Sequence, residues 1–171
     1  MVLPSHVWRM TPGQKRQVWD SLLDSDMNSR YWRYIARRYH YLEMALKILL
    51  LCISSGTVLA WIIWLNIQWL WKLLSVIAFV ISGTLLVLNL PARTEAMVDL
   101  TGKWTALMNS YERLWDSLPT STVETALARY DDLKATQVEL TRFEGRLPNS
   151  KRLIRRAYNE VCASRGLVAR Q

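Results

Sequence analysis

The sequence predicts an all-α membrane protein, and three observations carry that prediction. From Ile48 to Trp71 there is no charged residue, and after Lys72 the run from Leu73 to Leu90 has none either. Between them lies "LNIQWLWKLL", Leu65–Leu74, which mixes tryptophan with asparagine, glutamine and lysine. After Pro91 the apolar residues recur at steps of three and four, the spacing of a helical seam. The expected architecture is a two-helix transmembrane hairpin. An N-terminal juxtamembrane helix precedes it, and a C-terminal cytoplasmic helical bundle or coiled coil follows. The expected divisions are 1–44, 45–90 with spans at about 45–65 and 73–90, and 91–171.

The spans come from length and charge. About 20 apolar residues cross a ~30 Å hydrocarbon core as a helix. A soluble helix of that length shows a polar stripe, and these runs show none. Trp61, Trp64, Trp69 and Trp71 cluster around the junction, where an indole ring sits at headgroup level with its N–H in water. Asn66, Gln68 and Lys72 make the turn polar. Arg30, Arg33, Arg37, Arg38 and Lys47 precede the first span and Arg93 and Lys103 follow the second, against Lys72 alone in the turn. The positive-inside rule then places both termini in the cytoplasm of an inner-membrane, multi-pass protein.

Each span carries small residues at its midpoint, "SSGT" at Ser54–Thr57 and "SGT" at Ser82–Thr84. Cys52, Gly56 and Ala60 fall on one face, with Ser55 beside it; Ala78 and Ser82 share a face in the second span. Small residues at four-residue spacing let helix backbones approach closely in lipid, or bring hydroxyls to a lumen shared between subunits. The spans hold no acidic or basic residue at depth, which disfavours a proton relay, a voltage sensor or a pump.

Before the membrane, Thr11 and Pro12 open a helix expected to reach Asp24. "DSDMN" is expected to break it, and Ser29 to cap a second helix. Tyr31, Trp32, Tyr34, Tyr39 and Tyr41 interleave with the arginines there. Beside a span this pattern reads as interface anchoring and contact with anionic lipid rather than with nucleic acid. After the membrane, Met97, Leu100, Trp104, Leu107, Tyr111, Leu114 and Leu118 form a seam that packs within the chain or between chains. Leu118-Pro119 ends that helix, and Thr120, Ser121 or Thr122 caps the next. Its own register, Ala126, Leu133, Leu140 and Leu147 with Val123, Tyr130, Gln137 and Glu144, is weakened by the two polar members. A last helix carries Lys151, Arg152, Arg155 and Arg156 opposite an apolar face, and Gly166 stops it. With a formal net charge of +8, this basic helix is expected to meet lipid or a partner.

No catalytic, cofactor-binding or metal-ligating constellation stands out, so no enzyme and no cofactor is expected. The six glycines form no phosphate loop. Cys52 and Cys162 are too few for a disulfide framework, and with His6 and His40 they show no metal-ligand spacing. No secretory signal peptide is expected, because the first apolar run starts more than forty residues in.

Taken together, "YWRYIARRYHYLE" before the membrane, the short-turned hairpin and the following helical pair resemble the SLATT family, the small two-transmembrane effector domains of bacterial conflict systems. The resemblance covers roughly Ser29 to Gly166, and Tyr31, Ala36 and Tyr39-His40 are its most family-like local features. It is architectural, and it brings no site residue with it. It implies an oligomeric inner-membrane effector that forms or gates a leak and depolarises the cell in anti-phage defence. It also implies a trigger from a separate sensor, a ligand or a phage component. The alternative expectation is a non-conducting, membrane-anchored scaffold or exclusion factor whose cytoplasmic helices bind a partner protein.

Overall fold

The computed structural model describes residues 10–63, 68–145, 147 and 149–167, with the side chains of 55–63, 68, 70, 71 and 85–88 left aside. Five helices make up the described chain, with no strand among the described residues: α1 Pro12–Ile63, α2 Gln68–Leu88, α3 Leu90–Ser117, α4 Val123–Glu144 and α5 Lys151–Ser164. The chain is all-α, as expected.

α1 opens as the sequence predicts. Thr11 N–H donates to Gln14 Oε1 (2.9 Å), and Gln14 N–H donates to Thr11 Oγ1 (3.3 Å), a reciprocal capping box with Pro12 in the first turn. The expected break at "DSDMN" does not occur. α1 runs unbroken for 52 residues, because the polar residues meant to interrupt it find partners while helical. Ser25 Oγ donates to the Ser21 carbonyl (2.8 Å) and Ser29 Oγ to the Asp26 carbonyl (3.2 Å). Asp26 takes Arg30 one turn on, at 2.7 Å.

α2 ends at Leu88, and Asn89 turns the chain with φ 43°, a left-handed conformation that asparagine tolerates better than most residues. Pro91 falls in the first turn of α3, where a missing N–H costs nothing. Downstream the predicted punctuation holds. α3 stops at Ser117 before Leu118-Pro119, and Thr122 caps α4 by accepting from Thr125 N–H. Gly166, at φ 65°, closes α5. There Leu167 N–H reaches the Cys162 carbonyl (2.8 Å) and Gly166 N–H the Ala163 carbonyl (3.5 Å), the paired bonds of a Schellman stop.

The chain forms two compact units, one of Met1–Tyr34 with Val98–Gln171 and one of Ile35–Met97. The first is a helical bundle. Its core combines Val18 and Leu22 of α1, Leu100 to Leu114 of α3, Ala126 and Leu140 of α4, and Leu153, Ala157 and Val161 of α5. α3 and α4 run antiparallel, as their short link predicts: Leu100 shares a groove with Leu140 and Phe143, while Tyr111 meets Tyr130 at 6.2 Å between ring centres. In the second unit Ile35, Ala36, Leu90, Thr94 and Met97 are buried, and the Lys47 ammonium lies 2.6 Å from the buried Glu43 carboxylate.

The two expected spans do not emerge as such. Among the described residues no helix is long and apolar enough to cross a membrane. Lys47 and Lys72 leave Ile48–Ile63 of α1 and Leu73–Leu88 of α2 as the uncharged helical stretches, each a few residues short of the ~20 a span needs. The connecting residues 64–67 lie outside the described residues.

Candidate functional site

Two surfaces and one buried network stand out. The first surface belongs to the unit Ile35–Met97. α2 confines Gln68, Lys72, Ser75 and Ser82 to one narrow strip and, Thr84 apart, is apolar over the rest of its circumference, so a single packing side leaves apolar side chains on the others. Trp69 is 68% exposed, Phe79 79% and Val80 57%. Leu73, Val76 and Ile77 are exposed too, as are Ile48, Leu49 and Leu51 on α1. Many large apolar side chains of this unit are thus left exposed among the described residues.

The predicted small-residue faces are visible only in part. Cys52 is exposed, and Ala78 and Ser82 are half-buried. A methyl group built on neighbouring Gly83 would meet nothing within 4 Å. Trp64 and the side chains of Ser55, Ala60, Trp61 and Trp71, with the surroundings of Gly56, lie outside what is described; of the four predicted anchors only the Trp69 side chain is seen, and it is exposed. Two hydroxyls of the paired motifs bond to their own helices, Ser54 Oγ to the Leu51 carbonyl (3.0 Å) and Thr84 Oγ1 to the Val80 carbonyl (2.8 Å). Such back-bonding lets a hydroxyl sit in apolar surroundings without water.

The heptad seam turns inward. Met97, Leu100, Trp104, Leu107, Tyr111 and Leu114 are all buried within the single chain, and Leu118 is half-buried. The α4 register that looked weak holds for a reason hidden from local pattern. Gln137 is buried with every polar atom engaged: its amide donates to Asp24 Oδ2 (2.6 Å), and its carbonyl oxygen accepts from Tyr111 (3.1 Å) and Lys134 (3.0 Å). The Glu144 carboxylate accepts the indole N–H of Trp32. Tyr31 donates to Asn149 Oδ1 and accepts from Ser150 N–H, both at 3.0 Å, which pins the turn before α5 against α1. Burial raises the carboxyls of Asp24 and Glu144 above the ordinary range, against the lowering by Gln137 and Trp32 respectively.

The second surface is charged. Of the predicted basic contacts, two are spent inside the bundle. Arg30 pairs with Asp26 and donates to Ser164 Oγ (2.9 Å). Arg156 lies 4.7 Å over the Tyr34 ring and 3.3 Å from Glu160. The Tyr34 hydroxyl donates to that same carboxylate, and this bond is the main cause that holds Glu160 below the ordinary range. Arg33, Lys151, Arg152 and Arg155 are exposed in the bundle, and Arg37 and Arg38 in the other unit. The apolar face of α5 is buried through Leu153, Ala157, Val161 and Cys162. This helix therefore cannot lie in a lipid interface on that face, as the sequence alone allowed; only its basic side is free.

Arg165, just past α5, bridges two carboxylates, Asp26 at 3.4 Å and Glu112 at 2.9 Å. A cleft of about 520 Å³ opens nearby, walled by Trp19, Met27, Tyr158 and Leu167, with Asp24 and the Cys162 thiol at its lining. No group of side chains among the described residues could hold a metal ion.

No protein-family model, curated protein or solved structure matches the chain.

Proposed function

We propose that the chain is a membrane effector. Residues 45–90 form the two-helix hairpin, both termini lie in the cytoplasm of a bacterial cell, and several copies together form or gate a leak across the inner membrane. One observation carries the reading: large apolar side chains stand exposed on α1 from Ile48 and on α2 as far as Val80. Leaving that surface in water is costly at ~25 cal/mol per Å², and lipid removes the cost. The uncharged runs Ile48–Trp71 and Leu73–Leu90 supply enough chain for two passes once the connecting residues are counted. Two passes are too few for a transporter in one chain, so conduction needs several subunits. The resemblance drawn from the sequence supplies the setting, anti-phage defence, with a separate sensor or phage component as trigger.

Two measurements test this. Membranes from expressing cells are washed at alkaline pH, and a potential-sensitive dye follows the same cells. Retention in the washed membrane together with depolarisation is the expected result. Release into the wash defeats the hairpin, and an unchanged potential across expression levels defeats the leak.

A second reading is a non-conducting anchor whose bundle binds a partner protein. It is favoured by the way the bundle closes its own seam and leaves charged outer faces. It predicts that the helices from Ala92 onward work on an unrelated anchor, whereas the leak reading predicts that they do not.

A further inference from the structure

The seam is buried within one chain, so an oligomer needs another contact. Two outer faces of the bundle are available, and they have opposite sign. On α5, Lys151, Arg152 and Arg155 are exposed and make no ion pair among the described residues. On α4, counting about 100° per residue, Glu124, Asp131, Asp132 and Glu139 fall on the side opposite the buried Ala126, Gln137 and Leu140. All four carboxylates are exposed, and none pairs with a cation among the described residues. Between them run Ala128 and Ala135, also exposed, and exposed Arg142 falls on the same side, so this face sets four carboxylates against one guanidinium and is net negative.

We propose that the basic face of α5 docks on the acidic face of α4 of a second copy. The contact joins unlike faces, so it is head-to-tail, and repeating it closes a ring if the rotation allows and otherwise extends a filament. A ring is the assembly that a leak requires; the proposal rests on that reading and names the surface that would build it. Charge complementarity selects the occupant. An anionic lipid surface or a nucleic acid would use the basic face but repel the carboxylates on α4, whereas a second copy uses both.

Charge reversal tests it on the full-length protein, in whatever medium keeps the wild type dispersed, with particle mass as the readout. The acid-face variant is Asp131→Arg with Asp132→Arg, and the basic-face variant is Arg152→Glu with Arg155→Glu. Each alone sets like charges together, and the concentration needed for assembly should rise by roughly tenfold or more. Mixed in equal amounts, the two variants again present opposite faces and should reassemble to the wild-type mass. Circular dichroism melts that match the wild type show that each variant is folded. If one variant is misfolded, single reversals at Asp132 and Arg155 replace the pair. Wild-type mass in each variant alone, a monomeric wild type, or no recovery on mixing overturns the proposal. So does loss of binding to vesicles of anionic lipid by the basic-face variant while the acid-face variant assembles normally. Mass is read independently of conduction, so an assembled but non-conducting protein sinks the leak and keeps the contact.

Discussion

The bundle and the unit Ile35–Met97 both carry large apolar and aromatic residues and place them in opposite ways. In the bundle, Trp104 and Tyr111 are wholly buried; the Tyr111 hydroxyl donates to Gln137, while the Trp104 indole N–H lies without a hydrogen-bond acceptor among the described residues. In the other unit, Trp69, Phe79 and Val80 point outward. Composition and spacing both separate the two, since Ile48–Leu90 holds Lys72 as its one charged residue while the bundle helices are rich in charge. α3 alternates its apolar residues at three and four and so has an inside. α2 is apolar round most of its circumference, and no single packing surface can take all of it. A core driven by water exclusion explains the first arrangement; the second leaves apolar surface uncovered within the chain.

The comparison can be broken most forcefully at Trp104. Trp104→Ala should destabilise the bundle by about 3–5 kcal/mol, read as a large fall in the thermal unfolding midpoint; a small change would mean that the bundle core is not where it appears. Next comes Phe79→Arg. On the insertion scale an arginine at a span centre costs about 3 kcal/mol, so membrane retention should drop while the bundle melt stays put. Retention equal to the wild type would show that this face does not meet lipid. Asp26→Asn removes the charge that two arginines share, and should cost about 2 kcal/mol in chemical denaturation. Gly166→Ala forces a side chain into φ 65° and should cost about 1 kcal/mol.

The smallest effect is with pH. Asp24 and Glu144 are raised by burial, so the folded bundle holds protons that the unfolded chain gives up. Their contribution is fully present below the unfolded carboxylate values, about 4, and is lost as pH rises through the raised values. The bundle should therefore melt higher at pH 5 than at pH 7, and Glu144→Gln should flatten that slope. Glu160 works in the other sense, since its lowered carboxyl withdraws stability as pH falls through its folded value. An unaltered slope in Glu144→Gln would mean that this carboxyl is better solvated than its surroundings imply.

How much could be read beforehand depends on where the deciding partner sits. The α3 seam, the stop at Leu118-Pro119, the Thr122 cap and the Gly166 stop are local, and each was readable because the responsible residues lie within a turn or two. The continuity of α1 was not. The "DSDMN" stretch looks like a break until Ser25 bonds back to the Ser21 carbonyl and Asp26 takes both Arg30 one turn on and Arg165 from far along the chain. Gln137 and Glu144 looked like flaws in a seam for the same reason: their partners, Asp24 and Trp32, belong to α1. The basic helix is legible in its charge pattern, while the burial of Leu153, Ala157, Val161 and Cys162 within the chain is not. Amphipathicity marks two faces without saying that the apolar one is already taken.

The bridge made by Arg165 has a practical consequence. Asp26 keeps only 4% of its side chain in contact with solvent, and the guanidinium that reaches it comes from beyond the last turn of α5. Cutting the chain ahead of that arginine, by protease or by design, would strand a carboxylate on α1 with Arg30 as its remaining counter-ion and leave Glu112 on α3 without its arginine. A shortened version of this protein should be chosen with its cut placed after Leu167, or it will report the loosened fastening rather than the removed tail.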